Sequence, residues 1–295
     1  EKKAISGLEQ LKELHRPWID NVKIKCDQCK KEATRIKEVG DCWLDAGIVP
    51  FSTLHYLDDN EYWKKWFPAE LVSEMREQVR LWFYSMLFMA VTLENRTPYL
   101  NVLSYEKVHD ELGRPMHKSW GNAIEFNEGA DKIGVDVMRW MFCRHNPADN
   151  MLFGYKRADE VRRQFYLMLW NIYKFFVEYS NLEKLDTGWQ VSTLLSTSNI
   201  LDKWILSRFT GLIETVEKNL KEFKAKDAAL EIEKFVSDLS TWFIRRSRDR
   251  IWVNSDNKVD KNNFYETLYY VLANLSIIIS PFIPFVAEEI YTNLA

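Results

Sequence analysis

The second half of the chain carries four long segments in which apolar residues recur every three or four positions. They span residues 158–181, 200–223, 227–252 and 263–279. This spacing predicts amphipathic helices, each of which must bury one apolar face against its neighbours. Ser280-Pro281 breaks the fourth helix, and a last helix is expected from about Pro284. The pattern therefore predicts an all-α helical bundle.

The first part of the chain has a mixed pattern. Val22 to Lys25 alternates like a strand, residues 70–94 read as a long apolar-rich helix, and residues 99–108 read as a second strand. We expect residues 1–14 to form a charged helix or linker. A strand–helix–strand order followed by a loop is typical of an α/β domain with a parallel sheet. The sequence thus predicts an α/β part followed by a helical part, with a Ser- and Thr-rich linker over residues 186–199.

The composition limits the classes of protein to which the chain can belong. The 295 residues suffice for two domains, and 46% apolar residues can build sizeable cores. The net charge of −3 gives no global attraction to nucleic acid, so any site for a polyanion must be a local patch. Four cysteines in a chain this long favour a reducing, cytoplasmic compartment, and no membrane span or signal peptide is visible. Because the chain starts at Glu1, we expect it to be a piece of a longer protein.

A short stretch after the second predicted strand points to chemistry on phosphates. Residues 115–122 read Pro-Met-His-Lys-Ser-Trp-Gly-Asn, which sets Lys118 between two small polar donors. Asp110 and Gly113 before it favour a turn, and such a loop can hold one positive charge against a phosphate chain. Taken alone, the stretch is equally compatible with a solvated surface loop.

A second local signal is a cluster of arginines in the third helical segment. The cluster consists of Arg245, Arg246, Arg248 and Arg250, interleaved with Trp242, Phe243 and Trp252. Arginine beside aromatic rings suits a phosphodiester backbone and unstacked bases. The alternative is a helix whose arginines pair with acidic residues of neighbouring helices.

Three further groups have polar or metal-binding character. Cys26 and Cys29 have the spacing of a zinc knuckle, but they supply only half of a structural site; the alternative is two ordinary reduced thiols. Glu74, Glu77 and Gln78 precede Trp82 at an expected helix start, where acidic residues are also common for reasons of helix polarity. A turn before Pro50 contains Trp43, Asp45 and Gly47, and the tryptophans could equally serve core packing.

Taken in order, these stretches resemble the class I aminoacyl-tRNA synthetases, and the isoleucine enzymes most closely. Residues 43–47 (Trp-Leu-Asp-Ala-Gly) are similar to the family's Trp-Phe-Asp-Ser-Gly, and residues 74–83 resemble its Glu-Gly-x-Asp-Gln-x-Arg-Gly-Trp-Phe. Residues 116–119 align with four positions of Lys-Met-Ser-Lys-Ser, and residues 242–252 and 280–291 resemble the anticodon-binding domain. The match covers nearly the whole chain.

The sequence also departs from the family pattern. Pro115 stands where the first lysine of the signature loop is expected, and His117 replaces its serine. Met75 and Leu81 replace two glycines that would let the backbone approach the adenylate, and Glu77 replaces an aspartate.

The resemblance implies the organisation of the chain. Residues 1–125 would be the second half of a Rossmann-type catalytic domain, residues 126–160 a stem-contact connector, and residues 161–295 the anticodon-binding domain. The family's reaction consumes ATP with Mg²⁺ and an amino acid, here isoleucine, and loads tRNA(Ile). We expect a monomer with no membrane partner, and we expect residues 1–295 alone to be inactive.

The resemblance also implies roles for individual residues. Lys118 would stabilise the phosphates as the catalytic cation. The nucleotide site would further include Met116, His117, Ser119, Glu74, Glu77 and Gln78. The amino-acid pocket would be formed by Trp43, Asp45, Gly47 and Trp82, and tRNA would be contacted by Arg245, Arg246, Arg248 and Arg250. Zn²⁺ could be held by Cys26 and Cys29.

Other functions remain open at this point. The lost glycines and Pro115 suit a tRNA-binding synthetase paralogue that does not form the adenylate. The valine and leucine enzymes share the architecture, although the residues 43–47 and the pairing of Gln78 with Trp82 favour isoleucine. A scaffold protein built on a zinc knuckle would need a metal at Cys26 and Cys29.

Overall fold

A computed structural model describes residues 4–36, 42–183, 188–189, 191, 197–252 and 257–295. The chain divides into two compact units, Glu1–Leu103 and Ser104–Ala295. Each unit has an apolar core of its own. The α/β character of the first part and the helical character of the second confirm the predicted fold class.

The first unit combines short strands with four helices. Its strands are β1 (Ala4–Ser6), β2 (Lys23–Lys25), β3 (Glu32–Thr34), β4 (Val72–Met75) and β5 (Val102–Tyr105), and its helices are α1 (Cys42–Gly47), α2 (Val49–Ser52), α3 (Asn60–Trp66) and α4 (Trp82–Glu94). β1, β2 and β3 form an antiparallel sheet in that order, and β4 pairs with β5. An isolated parallel bridge joins Ala69 and Tyr99 next to that pair.

Two predictions for this unit were wrong in detail. The helix expected over residues 70–94 begins only at Trp82, because residues 72–75 form β4 and Arg76–Arg80 form a 3₁₀ turn. The amide of Val72 donates to the carbonyl of Asn101, a partner distant in sequence that local periodicity does not reveal. Ala4–Ser6, expected in a charged helix or linker, is a strand that pairs with β2.

The core of the first unit is small and aromatic. Phe51, Trp63, Phe67 and Ala90 are buried together. The ring of Trp63 stacks on Phe67 with a centroid distance of 4.5 Å, and its indole nitrogen donates to the carbonyl of Pro50. These contacts fix α2 and α3 against α4.

The second unit is a helical bundle that also contains a short parallel strand pair. The strands are β6 (Val108–His109) and β7 (Met151–Leu152), and the helices are α5 (Phe126–Ile133), α6 (Val135–Arg144), α7 (Tyr155–Val161), α8 (Leu167–Glu183), α9 (Ile200–Lys221), α10 (Ala225–Asp238), α11 (Arg248–Ile251), α12 (Lys258–Ile279) and α13 (Pro284–Leu294). These helices confirm the predicted bundle. Most of the predicted linker over residues 186–199 lies outside the described residues. Within the part of the chain that is described, no helix has the length and apolar character needed to cross a membrane.

One continuous core holds the bundle together. Fully buried side chains from α6, α8, α9, α10, α12 and α13 pack in a single cluster. Trp140 on α6 stacks on Phe165 with a centroid distance of 3.8 Å. Removing this apolar surface from water is the main stabilising contribution to the unit.

Two wide π-helical turns interrupt the bundle helices. Arg162–Tyr166 joins α7 to α8, and Leu239–Ile244 follows α10 directly. Turns of this kind are rare and often lie at functional sites. In the second one Phe243 is fully buried while Trp242 is 46% exposed, so the turn directs one ring into the core and the other to solvent.

Candidate functional site

Two of the sequence motifs meet in the first unit. The indole nitrogen of Trp82 donates to the carbonyl oxygen of Ala46 at 3.0 Å, which ties the start of α4 to α1. A side chain at Gly47 would lie 2.7 Å from the carbonyl carbon of Ser85, so the absence of a Cβ allows the two helices to approach this closely. Residues 43–47, expected in a turn, lie in the short helix α1 together with the half-buried ring of Trp43. Asp45 is exposed.

The sequence predicted that the polar residues before Trp82 share a helix start, and this prediction was wrong. Glu74 lies in β4, and its carboxylate accepts the amide of Met75 at 2.8 Å. Glu77 and Gln78 lie in the 3₁₀ turn that follows. The side-chain oxygen of Gln78 accepts the backbone amide of Trp82 at 3.1 Å and so satisfies an amide at the N-terminus of α4. The group is half-buried, which suits a polar binding site.

In the second unit, the lysine loop is a hairpin with an exposed tip. His109 and Pro115 form an isolated antiparallel bridge at its base. Lys118–Trp120 form one 3₁₀ turn, which ends at Gly121 in the left-handed region with φ of 68°. Lys118 and Ser119 are exposed, whereas Met116 is half-buried and packs against the core of the unit. The ring of His117 lies 4.4 Å from that of Trp120, between centroids.

Two side chains that the sequence did not single out as site residues hold this hairpin. Asp110 is buried. Its carboxylate accepts hydrogen bonds from the backbone amides of Leu112 and Arg114 and from the guanidinium of Arg114. The amide group of Asn122 donates to the same carboxylate at 2.9 Å. The hydrogen bond from Asn122, with those from Arg114 and Leu112, holds the pKa of Asp110 well below its usual range. The turn-forming Asp110 and the Gly-Asn pair were the only sequence signals.

The neighbouring carboxylate connects the hairpin to a helix. Glu111 accepts the backbone amides of Lys156 and Arg157 at 2.7 and 3.0 Å, which lie in the first turn of α7. A carboxylate at a helix N-terminus is favoured by both the free amides and the helix dipole. A side chain at Gly154 would lie 2.1 Å from Glu111, so this contact needs glycine there.

Three of the four predicted tRNA-binding arginines are exposed. Arg245, Arg246 and Arg248 face solvent after the second π turn. The guanidinium of Arg246 lies 4.5 Å from the ring centroid of Trp242, within the range of a cation–π contact. The sequence interpretation missed Trp204, whose ring centroid lies 6.4 Å from that of Trp242. This surface offers cations and aromatic faces side by side.

Arg250 does not belong to that surface. Its guanidinium binds Asp202 at 2.6 and 2.9 Å and Asp260 at 2.7 Å, and only 10% of its side chain is exposed. The charge of Arg250 is therefore engaged within the bundle. For this residue the structure favours the alternative, a helix arginine that pairs with acidic residues of neighbouring helices.

Cys26 and Cys29 lie in the tight connection between β2 and β3. The amide of Cys26 donates to Lys31, its carbonyl accepts the amide of Lys30, and Lys30 adopts a left-handed φ of 62°. A backbone hydrogen bond from Cys29 and a second from Gln28 lower the pKa of Cys26, which favours the thiolate that binds metals. Among the described residues, no group of three or more potential metal ligands occurs.

Two family descriptions match the chain. Residues 2–153 match "tRNA synthetases class I (I, L, M and V)", and residues 202–295 match "Anticodon-binding domain of tRNA ligase".

Proteins similar in sequence to this chain are named isoleucine–tRNA ligases. The chain is 40% identical to an isoleucine–tRNA ligase of Clostridium novyi over 99% of its own length and 29% of the relative's length. It is 39% identical to one of Dehalococcoides mccartyi, again over 99% of this chain and 29% of the relative. The chain thus spans less than a third of the length of these relatives.

Solved structures show the same fold at low sequence identity. A leucyl-tRNA synthetase (LeuRS) from Agrobacterium radiobacter K84, solved with tRNA and LeuAMS, matches with a TM-score of 0.71 and 17% identity over 94% of this chain and 34% of that one. A methionyl-tRNA synthetase from Mycobacterium tuberculosis, solved with methionyl-adenylate, matches with a TM-score of 0.70 and 17% identity over 91% of this chain and 52% of that one. The family match over residues 2–153, which is more than half of the chain, shows that the chain belongs to the class I tRNA synthetases.

Proposed function

We propose that the chain is part of an isoleucine–tRNA ligase, which activates isoleucine with ATP and transfers it to tRNA(Ile). The observation that carries the proposal is the exposed ammonium of Lys118 at the tip of a hairpin with a fixed base, in a chain whose relatives are isoleucine–tRNA ligases. Within the chain, residues 1–125 would serve catalysis, residues 126–160 would connect, and residues 161–295 would bind the tRNA.

Activation needs a positive charge more than it needs a nucleophilic side chain. The isoleucine carboxylate attacks the α-phosphorus of ATP, a new P–O bond forms, and pyrophosphate leaves with the electrons of the broken P–O bond. Negative charge accumulates on the phosphate oxygens, and Lys118 would stabilise it. Met116, His117 and Ser119 would shape the nucleotide side of the loop. Magnesium would arrive with ATP, since Mg²⁺ is usually held by substrate phosphates with one or two carboxylates.

The first unit would supply the amino-acid pocket. The half-buried rings of Trp43 and Trp82 provide apolar surface beside the backbone of Asp45 to Gly47. Glu74 would bind the substrate ammonium, and Glu77 with Gln78 would contact the ribose and the aminoacyl carbonyl. The side-chain oxygen of Gln78 already accepts a hydrogen bond from the backbone amide of Trp82. Its contact with substrate would therefore come from the side-chain NH2 group as a donor.

The helical unit would bind the anticodon arm. Arg245, Arg246 and Arg248 would contact phosphates, and Trp242 would offer a stacking face to an unpaired base. Arg250 is left out of this proposal because two carboxylates hold it inside the bundle.

A zinc ion at the knuckle is a further part of the proposal. Cys26 and Cys29 fit two positions of a tetrahedral site because their spacing sets both thiols in the one tight turn between β2 and β3. The remaining ligands would come from parts of the protein outside the described residues. A zinc ion there would stabilise the β2–β3 connection and take no part in the reaction.

A second candidate is a paralogue that binds tRNA without forming the adenylate. Pro115, Met75 and Leu81 stand where the family has residues that contact the nucleotide, and this observation favours it. Isoleucine-dependent exchange of pyrophosphate into ATP by the full-length protein separates the two. Exchange supports the ligase, whereas tRNA binding without exchange supports the paralogue.

The role of Lys118 can be tested in the same assay. Lys118→Ala in the full-length protein should lower kcat for exchange by about a hundredfold or more, since loss of one charge-stabilising group commonly costs ~10²–10³-fold. Lys174→Ala is the matched control, because Lys174 is exposed on α8 and its ion pair is with another surface residue, Glu178, at 3.6 Å. Equal exchange by both variants would contradict the assignment. Residues 1–295 alone should show no aminoacylation.

A further inference from the structure

We propose that Asn122 and Asp110 are positioning residues that close the lysine loop and hold Lys118 in place for the reaction. This inference rests on the proposed function of Lys118. Neither residue would touch the substrate. Their effect on the reaction would pass entirely through the geometry of residues 115–122.

Asn122 closes the loop by using both ends of its amide group. Its oxygen accepts the backbone amide of His117 at 2.9 Å, directly before Lys118. Its nitrogen donates to the carbonyl of Pro115 at 3.0 Å and to the carboxylate of Asp110 at 2.9 Å. The backbone on both sides of Lys118 is thereby joined through one side chain, and only the turn Lys118–Trp120 projects from it.

The chemistry at position 122 admits few other side chains. Asn122 must accept a hydrogen bond from one backbone amide and donate two others, which asparagine can do and a carboxylate cannot. An aspartate at 122 would also set a second negative charge 2.9 Å from the carboxylate of Asp110. Alanine would leave the buried Asp110 with fewer donors and free the amide of His117.

The partner of Asn122 is itself fixed. The carboxylate of Asp110 accepts two backbone amides of its own turn, so it cannot follow a moving loop. Two residues between Asp110 and Asn122 in sequence add further contacts. Glu111 accepts hydrogen bonds from two backbone amides in the first turn of α7, and the half-buried Met116 packs against the core of the bundle. The loop thus stands on a rigid base. A backbone fixed in this way limits where the Lys118 ammonium can lie when ATP binds, and such positioning lowers a reaction barrier.

The test compares Asn122→Ala with Lys118→Ala and with a control, Asn127→Ala, in the full-length protein. Asn127 is exposed on α5, and its side chain donates a hydrogen bond to Glu125 at 3.3 Å. Asn122→Ala should lower kcat for isoleucine-dependent pyrophosphate exchange at least tenfold, because a misplacement of ~1 Å can cost about 10²-fold. The KM for isoleucine should stay within about twofold, and the thermal midpoint should fall by only a few degrees, because the carboxylate of Asp110 keeps its hydrogen bonds from Leu112 and Arg114.

A second measurement does not depend on activity. The amide of His117 is bonded to Asn122, so its hydrogen exchange should accelerate at least tenfold in Asn122→Ala and should not change in Asn127→Ala. If Lys118→Ala abolishes exchange of pyrophosphate while Asn122→Ala leaves kcat unchanged, the positioning role is refuted and the proposed function stands. If Lys118→Ala has no effect, the proposed function of Lys118 fails and the positioning role fails with it, even if the His117 amide is protected as expected.

Discussion

Removing the guanidinium of Arg250 should lower the stability of the helical unit more than removing any of its exposed charged groups would. Asp202, its main partner, has no exposed side-chain surface, and Arg250 itself is 10% exposed. Without Arg250 the carboxylate of Asp202 would stay buried, and among the described residues the hydroxyl of Thr197 would be its remaining side-chain donor. Breaking a buried ion pair from one side costs about 3–5 kcal/mol because the other charge is left uncompensated. We therefore expect Arg250→Ala to lower the free energy of unfolding by that amount.

The matched control is Arg208→Ala. Arg208 also makes two bonds to a carboxylate, that of Asp238, but the two side chains are 34% and 39% exposed. Exposed pairs contribute ~0–1 kcal/mol, so this variant should be nearly as stable as the parent. Adding Asp202→Asn to Arg250→Ala should recover part of the loss, because it removes the uncompensated charge.

The assay is urea unfolding of residues 1–295, followed by far-ultraviolet circular dichroism for the helical unit. Thermal melts give a second reading: in a unit of this size each kcal/mol shifts the midpoint by about 2–4 °C. If Arg250→Ala and Arg208→Ala lose the same small amount, the buried network does not stabilise the bundle and the reasoning from burial is refuted.

Three further variants test other contacts. Gly47→Ala should cost about 1–3 kcal/mol in urea unfolding, because the new methyl would lie 2.7 Å from a backbone carbon of α4, whereas Gly211→Ala, with open space around it, should be neutral or stabilising. Cys26→Ser should remove zinc from the full-length protein in metal analysis, and Cys143→Ser should leave the zinc content unchanged; equal zinc in both would exclude the knuckle site. The lowered pKa of Asp110 means that its contribution to stability is present above the ordinary aspartate range and is lost as pH falls towards its folded pKa. Asp110→Asn should therefore reduce the acid sensitivity of unfolding; an unchanged pH profile below about pH 4 would contradict this.

Periodicity predicted the helical unit well because its signal is local. The apolar residues of α9 and α12 recur at helical spacing over 22 residues each, and packing in the bundle uses that same face. The helix start at Trp82 was missed for the opposite reason. Residues 72–75 become a strand only because β5, about 30 residues later, supplies the partner.

Site residues were predictable by type more than by environment. Lys118 was singled out from the turn-forming residues around it and lies on an exposed hairpin tip, and its catalytic role stays a prediction. The pairing of Asp110 with Asn122 depends on how the loop closes, which spacing alone does not give. Arg250 looks like its three neighbours in sequence, yet its partner Asp202 lies 48 positions away. Long-range partners of this kind separate an arginine paired inside the bundle from one exposed to solvent.

The wide turn at Leu239–Ile244 has a consequence for length variation. A π turn accommodates one more residue than an α-helical turn. Deletion of a single residue there can revert the segment to ordinary helix, and the arginines beyond it would keep their orientation towards solvent. The same deletion in the middle of α10 would rotate every later side chain by about 100° and carry charged groups into the core. Homologous chains could therefore gain or lose one position at this turn while presenting the same arginine-rich surface to solvent.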